Sequence, residues 1–109
     1  MKGIPHMGNL LKQAQQFQAK LGKLQEELAN RTVEASAGGG MVSVVANGRQ
    51  EVVSIKIDRE VIDPQEKEML QDLVLAAVND ALSRAKAMVN EEMGKLTQGL
   101  NLPHIPGLL

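Results

Sequence analysis

The sequence predicts an α+β fold of element order αβββα, with a three-stranded antiparallel meander set between two long helices. Three observations carry that prediction. Apolar residues keep a helical period over the first thirty positions, the period drops to two between Thr32 and Ile57, and a helix-start signature at Asp63-Pro64 opens a second helical pattern.

In the first segment Leu10, Ala14, Phe17, Leu21, Leu24 and Leu28 repeat with alternating spacings of four and three, the spacing of a heptad seam. The helix is expected from about Met7 to Asn9, with Asn9 as a cap, to about Asn30, a length near 33 Å at about 1.5 Å per residue. Thr32 to Ala37 reads as a strand with Val33, Ala35 and Ala37 on one face. Gly38-Gly39-Gly40 reads as the turn into a second strand, Met41 to Ala46. Asn47-Gly48 then predicts a hairpin through a type I′ turn into a third strand, Val52 to Ile57. Asp63 is placed to cap, Pro64 suits a first helical position, and Glu66 favours the positive end of the helix dipole. That second helix is expected to run to about Met93 and stop at Gly94. Leu70, Leu73, Val74, Ala77, Val78, Ala81, Leu82, Ala85, Met88 and Val89 form its broad apolar face. The predicted organisation is a flexible N-terminus over 1–8, one folded domain over 9–94 and a mobile tail over 95–109, where Gly99, Pro103, Pro106 and Gly107 disfavour regular structure.

Helices of roughly 33 and 45 Å exceed what a small sheet can cover, because a compact domain of this size has a radius of gyration near 13 Å. A second copy is the simplest cover, so a homodimer with protruding helices is expected.

The composition, 43% hydrophobic and 23% charged over 109 residues, is that of one globular domain. Cysteine is absent, which removes disulfides, thiol nucleophiles and thiolate metal sites. No apolar run reaches membrane-span length, and Lys12 and Gln13 interrupt any signal-peptide core after Leu10 and Leu11, so no membrane role and a cytoplasmic location are expected. Catalytic groups are scarce. His6 and His104 lie near opposite termini without a second ligand at metal spacing. Asp58, Glu60 and Asp63 lack the ordered spacing of a calcium loop, and the triple glycine precedes a strand rather than a helix N-terminus. No serine or threonine stands beside a histidine or in a nucleophile elbow. The chain therefore reads as a non-enzyme with no metal, cofactor or small-molecule substrate.

Charge is what remains. The net charge is −1, yet residues 1–57 carry +3 and residues 58–109 carry −4, and no carboxylate precedes Glu26. Lys12, Lys20 and Lys23 share an arc of roughly 80° on the first helix, turned away from the seam, and span roughly 16 Å along its axis. Over that length duplex DNA presents several phosphates. Arg84, Lys86 and Lys95 on the second helix are second-rank candidates, because Asp80, Glu91 and Glu92 dilute their field. With no Trp, no Tyr and a single Phe committed to the seam, base stacking is disfavoured, which points to the duplex backbone. The competing reading is a protein-interaction module that uses the seam and the apolar tail, with the lysines serving only as a solvated face.

The order of short motifs also resembles a known family. Lys12-Gln13-Ala14-Gln15-Gln16, Leu24-Gln25-Glu26-Glu27-Leu28, Gly38-Gly39-Gly40-Met41-Val42, Asn47-Gly48, Ile57-Asp58, Glu68-Met69-Leu70 leading to Asp72-Leu73, Ala76-Ala77-Val78-Asn79-Asp80-Ala81 and Met93-Gly94 together are similar to the YbaB/EbfC family of bacterial nucleoid-associated proteins. The match spans Leu10 to Leu102. The resemblance implies a cytoplasmic homodimer of αβββα protomers, tweezer-like in shape, that binds double-stranded DNA and contributes to nucleoid organisation and gene regulation. It brings no universal motif of DNA-contacting residues, so the assignment of Lys12, Lys20 and Lys23 rests on the face argument.

Overall fold

A computed structural model describes residues 7–99, in the order α1 (Met7–Asn30), β1 (Thr32–Ala37), β2 (Val42–Asn47), β3 (Val52–Ile57), two short 3₁₀ turns (Arg59–Val61 and Pro64–Glu66) and α2 (Lys67–Gly99). His6, His104 and the tail from residue 100 onward lie outside the described residues. The αβββα order is as expected, with strand limits within a residue of the predicted ones. Two boundaries differ. Pro64 opens a 3₁₀ turn rather than the α-helix itself; Asp63 Oδ1 accepts from the Gln65 amide at 3.0 Å, and α2 begins only at Lys67. At the other end α2 passes through Gly94 to Gly99, so residues 95 to 99 are helical and not part of an irregular tail. One glycine costs a helix only about 1 kcal/mol. Lys95 Nζ offsets part of that cost by reaching back to Glu91 and Glu92.

The sheet is an open meander in the order β1-β2-β3, antiparallel throughout. The turn between β1 and β2 takes positive φ at Gly38, Gly39 and Gly40, which accounts for three glycines in a row. α2 crosses one face of the sheet and buries Ala35 of β1 and Val42, Val44 and Ala46 of β2 against its own Ala77, Ala81 and Ala85. Six of the ten buried apolar residues among the described ones are alanines, which lets the helix lie close on the strands.

β3 is treated differently. Val52, Ile55 and Ile57 stand opposite Ala46, Val44 and Val42 and so share their face. They are nevertheless 39%, 45% and 38% exposed, while their β2 partners are fully buried. α2 lies over the other two strands and leaves this one open. A bulge between Val45 and Ala46 sets Val53 outside the register, and Val53 is exposed as well. Between Ile57 and the α2 residues Leu70, Val74, Leu75 and Val78 runs an open apolar groove of ≈ 460 Å³.

The molecule is correspondingly long, 80 × 25 × 17 Å, with a radius of gyration of 21.0 Å against roughly 13 Å for a compact chain of this length. α1 makes it so. Its seam is graded: Leu28 is buried, Leu24, Leu21 and Phe17 are half-buried, and Ala14 and Leu10 are exposed. Only the last turn of α1 is anchored in the body.

Candidate nucleic-acid interface

The anchor of α1 is built from three contacts. Arg31 Nη1, one residue past the helix, pairs with Glu92 of α2 at 3.3 Å. Leu28 and Ala29 are buried, and with Val89 and Met93 of α2 they line a recess of ≈ 500 Å³. The tip of the β2–β3 hairpin wedges against them: a Cβ built on Gly48 would lie 2.0 Å from the Leu28 carbonyl oxygen and 2.6 Å from its carbon. Nothing larger than glycine fits there without movement.

The hairpin tip is not the expected type I′ turn. Gly48 does not take positive φ; the left-handed residue is Gln50, at φ 64°. The Gln50 amide donates to the Asn47 carbonyl at 3.0 Å, and the Asn47 amide donates to the Glu51 carbonyl at 3.0 Å. Asn47 Oδ1 accepts from the amides of Arg49, at 2.9 Å, and Glu51, at 3.2 Å. Asn47 thus acts through its side chain, as an Asx turn, rather than through an αL backbone.

From that anchor the remaining length of α1 projects with Lys12, Lys20 and Lys23 all exposed. Ion pairs among the described residues involve Arg31, Arg84 and Lys95, and none reaches these three lysines. The second-rank cations divide. Arg84 Nε pairs with Asp80 at 3.2 Å, and Lys95 Nζ lies 3.3 Å from Glu92 and 4.0 Å from Glu91, so both are locally neutralised. Lys86 is exposed and sits beside Gly48, Gln50 and Asn90. Arg49, at the hairpin tip, is exposed and unpaired among the described residues. Arg49 belongs to no helix face, since it stands on a hairpin tip; its signal in the sequence is a basic residue directly after Asn-Gly.

The acidic segment has structural duties. Asp58 Oδ1 accepts from the Glu60 amide at 3.0 Å and Asp63 caps the next turn, so two of the three carboxylates close 3₁₀ turns. No cluster of three or more metal-ligating side chains occurs among the described residues, and none of their helices is long and apolar enough to cross a membrane.

Comparison with known proteins agrees with this architecture. The profile of the YbaB/EbfC DNA-binding family matches residues 1–100. A nucleoid-associated protein of Syntrophobacter fumaroxidans is 59% identical over 102 residues, covering 92% of this chain and 93% of its own. One from Bacillus thuringiensis is 54% identical over 101 residues, covering 93% of each chain. Among solved structures, an uncharacterized protein from Helicobacter pylori superposes with a TM-score of 0.57 at 28% identity, covering 80% of this chain and 96% of that one. The chain belongs to the YbaB/EbfC DNA-binding family.

Proposed function

We propose that this chain is a nucleoid-associated protein that binds duplex DNA as a homodimer and catalyses no reaction. Lys12, Lys20 and Lys23 contact backbone phosphates, and the protein contributes to nucleoid organisation and gene regulation in the bacterial cytoplasm. One observation carries the reading: a projecting helix with three exposed lysines and no ion pair to any of them among the described residues. Lysine acts on phosphate as a point charge, and base-reading side chains do not accompany it, so affinity comes from counterion release rather than sequence readout. The family's description and the names of the relatives support DNA and the nucleoid as partner and place. Of the six basic residues selected from the sequence, Arg84 and Lys95 take the weakest part, because their charge is already matched.

The homodimer is supported by β3. An open edge strand bearing Val53, Ile55 and Ile57 beside an apolar groove is a liability for a lone chain, and a second copy covers both when two such edges meet about a two-fold axis. Two copies also give two lysine-bearing arms.

The test is affinity for a short DNA duplex across salt concentrations, measured for wild type and for a Lys12→Ala, Lys20→Ala, Lys23→Ala variant, with light scattering on both. Six neutralised phosphates per dimer contribute about −5 to the log–log slope, a contribution the variant loses. An unchanged slope in the variant sinks the assignment of the lysines, and a monomer at all concentrations sinks the dimer. Negligible duplex affinity for folded wild type would favour the protein-interaction module instead.

A further inference from the structure

We propose that Arg49 and Lys86 form a second binding point for duplex-DNA phosphates, set in the notch where the β2–β3 hairpin tip meets α2. The inference rests on the reading of the chain as a DNA binder, and it adds a site that lies off the α1 arc.

The geometry is that of two recesses sharing one wall. Arg49 lines the ≈ 500 Å³ recess that Gln25 and Glu26 of α1 also line. Lys86 lines a ≈ 200 Å³ recess together with Gln50 and Asn90. Gly48 and Val89 belong to both, so the two cations flank a single hairpin tip. Of the α1 residues lining that recess, Gln25 lies well over 100° around the helix from Lys20 and Lys23 and Glu26 roughly 60° from Lys23 at about 100° per residue, so the notch is centred off the lysine arc and borders it at Glu26.

The tip holds its position. Asn47 Oδ1 fixes the Arg49 amide, Gln50 Nε2 donates to the Leu82 carbonyl of α2 at 3.0 Å, and the Leu28 carbonyl closes on Gly48. The acids nearby form no ion pair with either cation among the described residues. Glu51 Oε1 accepts from Asn47 Nδ2 at 3.1 Å, and Glu26 lines the same recess as Arg49 without an ion pair to it. The residues three and four positions from Lys86 on α2 are Leu82, Ser83, Val89 and Asn90, none of them charged. A planar guanidinium on a fixed turn, an ammonium on the other side, and the amide groups of Gln25, Gln50 and Asn90 make a donor set suited to phosphate oxygens. The ion pairs that neutralise Arg84 and Lys95 have no counterpart at this notch among the described residues.

The experiment compares wild type, an Arg49→Ala, Lys86→Ala variant and the triple lysine variant on one short duplex over 50 to 200 mM salt. Both notch side chains are exposed, and the tip is held by backbone and Gln50 contacts that the substitutions leave in place. Four further phosphates per dimer make the wild-type slope about −9, and the double variant returns it to about −5. The wild-type advantage over the variant then shrinks on the order of 100-fold across that salt range. A double variant with the wild-type slope overturns the notch while leaving the lysine arc standing. A wild type that does not bind duplex overturns both. In unaltered protein the backbone amide resonances of Gly48, Arg49 and Gln50 are expected to shift on titration with the duplex; no movement there overturns the notch without any substitution.

Discussion

α1 and α2 are both long amphipathic helices, and they use the two halves of their surface in opposite ways. α2 presses its apolar face onto the sheet through Ala77, Ala81 and Ala85, all fully buried, and its outer cations Arg84 and Lys95 pair with acids of the same helix. α1 buries only Leu28 and Ala29, leaves Leu10 and Leu11 more than 60% exposed, and carries Lys12, Lys20 and Lys23 without partners among the described residues. The difference shows that amphipathicity alone does not assign a role. Where a helix has its cations paired and its apolar residues buried, as α2 has around Ala81, it is scaffold. One with unmatched charge and a half-empty seam is built to meet something else.

The largest expected effect breaks the scaffold half of the comparison. Ala81→Leu adds three carbons where α2 meets β1 and β2 and where accessibility is zero. Overpacking of this kind costs about 3 kcal/mol, enough to lower Tm by more than ~10 °C in a domain of this size. The same change at Ala14 on α1, an exposed seam position, is expected to leave Tm nearly unmoved. Thermal unfolding followed by circular dichroism checks both. An equal loss at the two sites would mean that the α1 seam is as tightly packed as the core.

A smaller effect is expected at the joint between the two helices. Gly48→Ala puts a methyl group 2.0 Å from the Leu28 carbonyl, so either the hairpin tip or the last turn of α1 has to move. Because α1 is free beyond that turn, it swings rather than unfolds. The stability cost is about 2 kcal/mol, with duplex affinity falling while dimerisation is retained. Distances between labels on Gln13 of the two protomers are expected to change by several Å; unchanged distances would show that the tip alone had adjusted.

Gly48 also shows where the sequence stopped being readable. Asn47-Gly48 between two runs of period two was sufficient for the hairpin, and the helical and strand periods placed the five main elements. The reason for the glycine was not local. It answers to the carbonyl of Leu28, far earlier in the chain, and no pattern within a turn records that approach. The reach of α2 past Gly94 was missed for a related reason: the Lys95 contacts to Glu91 and Glu92 weigh against one glycine, and propensity taken residue by residue does not sum them. The lysine arc was legible because it follows from helix geometry alone. Arg49 was not, because its relation to Lys86 exists only once the hairpin folds onto α2.

The smallest effect sharpens the comparison most finely, because it asks whether unmatched charge, rather than charge itself, marks the binding surface. Arg84→Ala with Lys95→Ala removes two cations per protomer, as many as the notch variant does, yet both belong to exposed pairs within one helix turn. Such pairs contribute about 0.5 kcal/mol or less to stability. Their carboxylates Asp80, Glu91 and Glu92 remain behind, so the local field becomes more negative while no phosphate contact is lost. The salt slope for duplex binding is therefore expected to stay at the wild-type value, with at most a few-fold weakening that high salt screens away. If this variant instead flattened the slope as far as the loss of Arg49 and Lys86, ion pairing within α2 would not keep its cations from DNA, and Arg84 and Lys95 would join Lys86 as phosphate contacts on that helix.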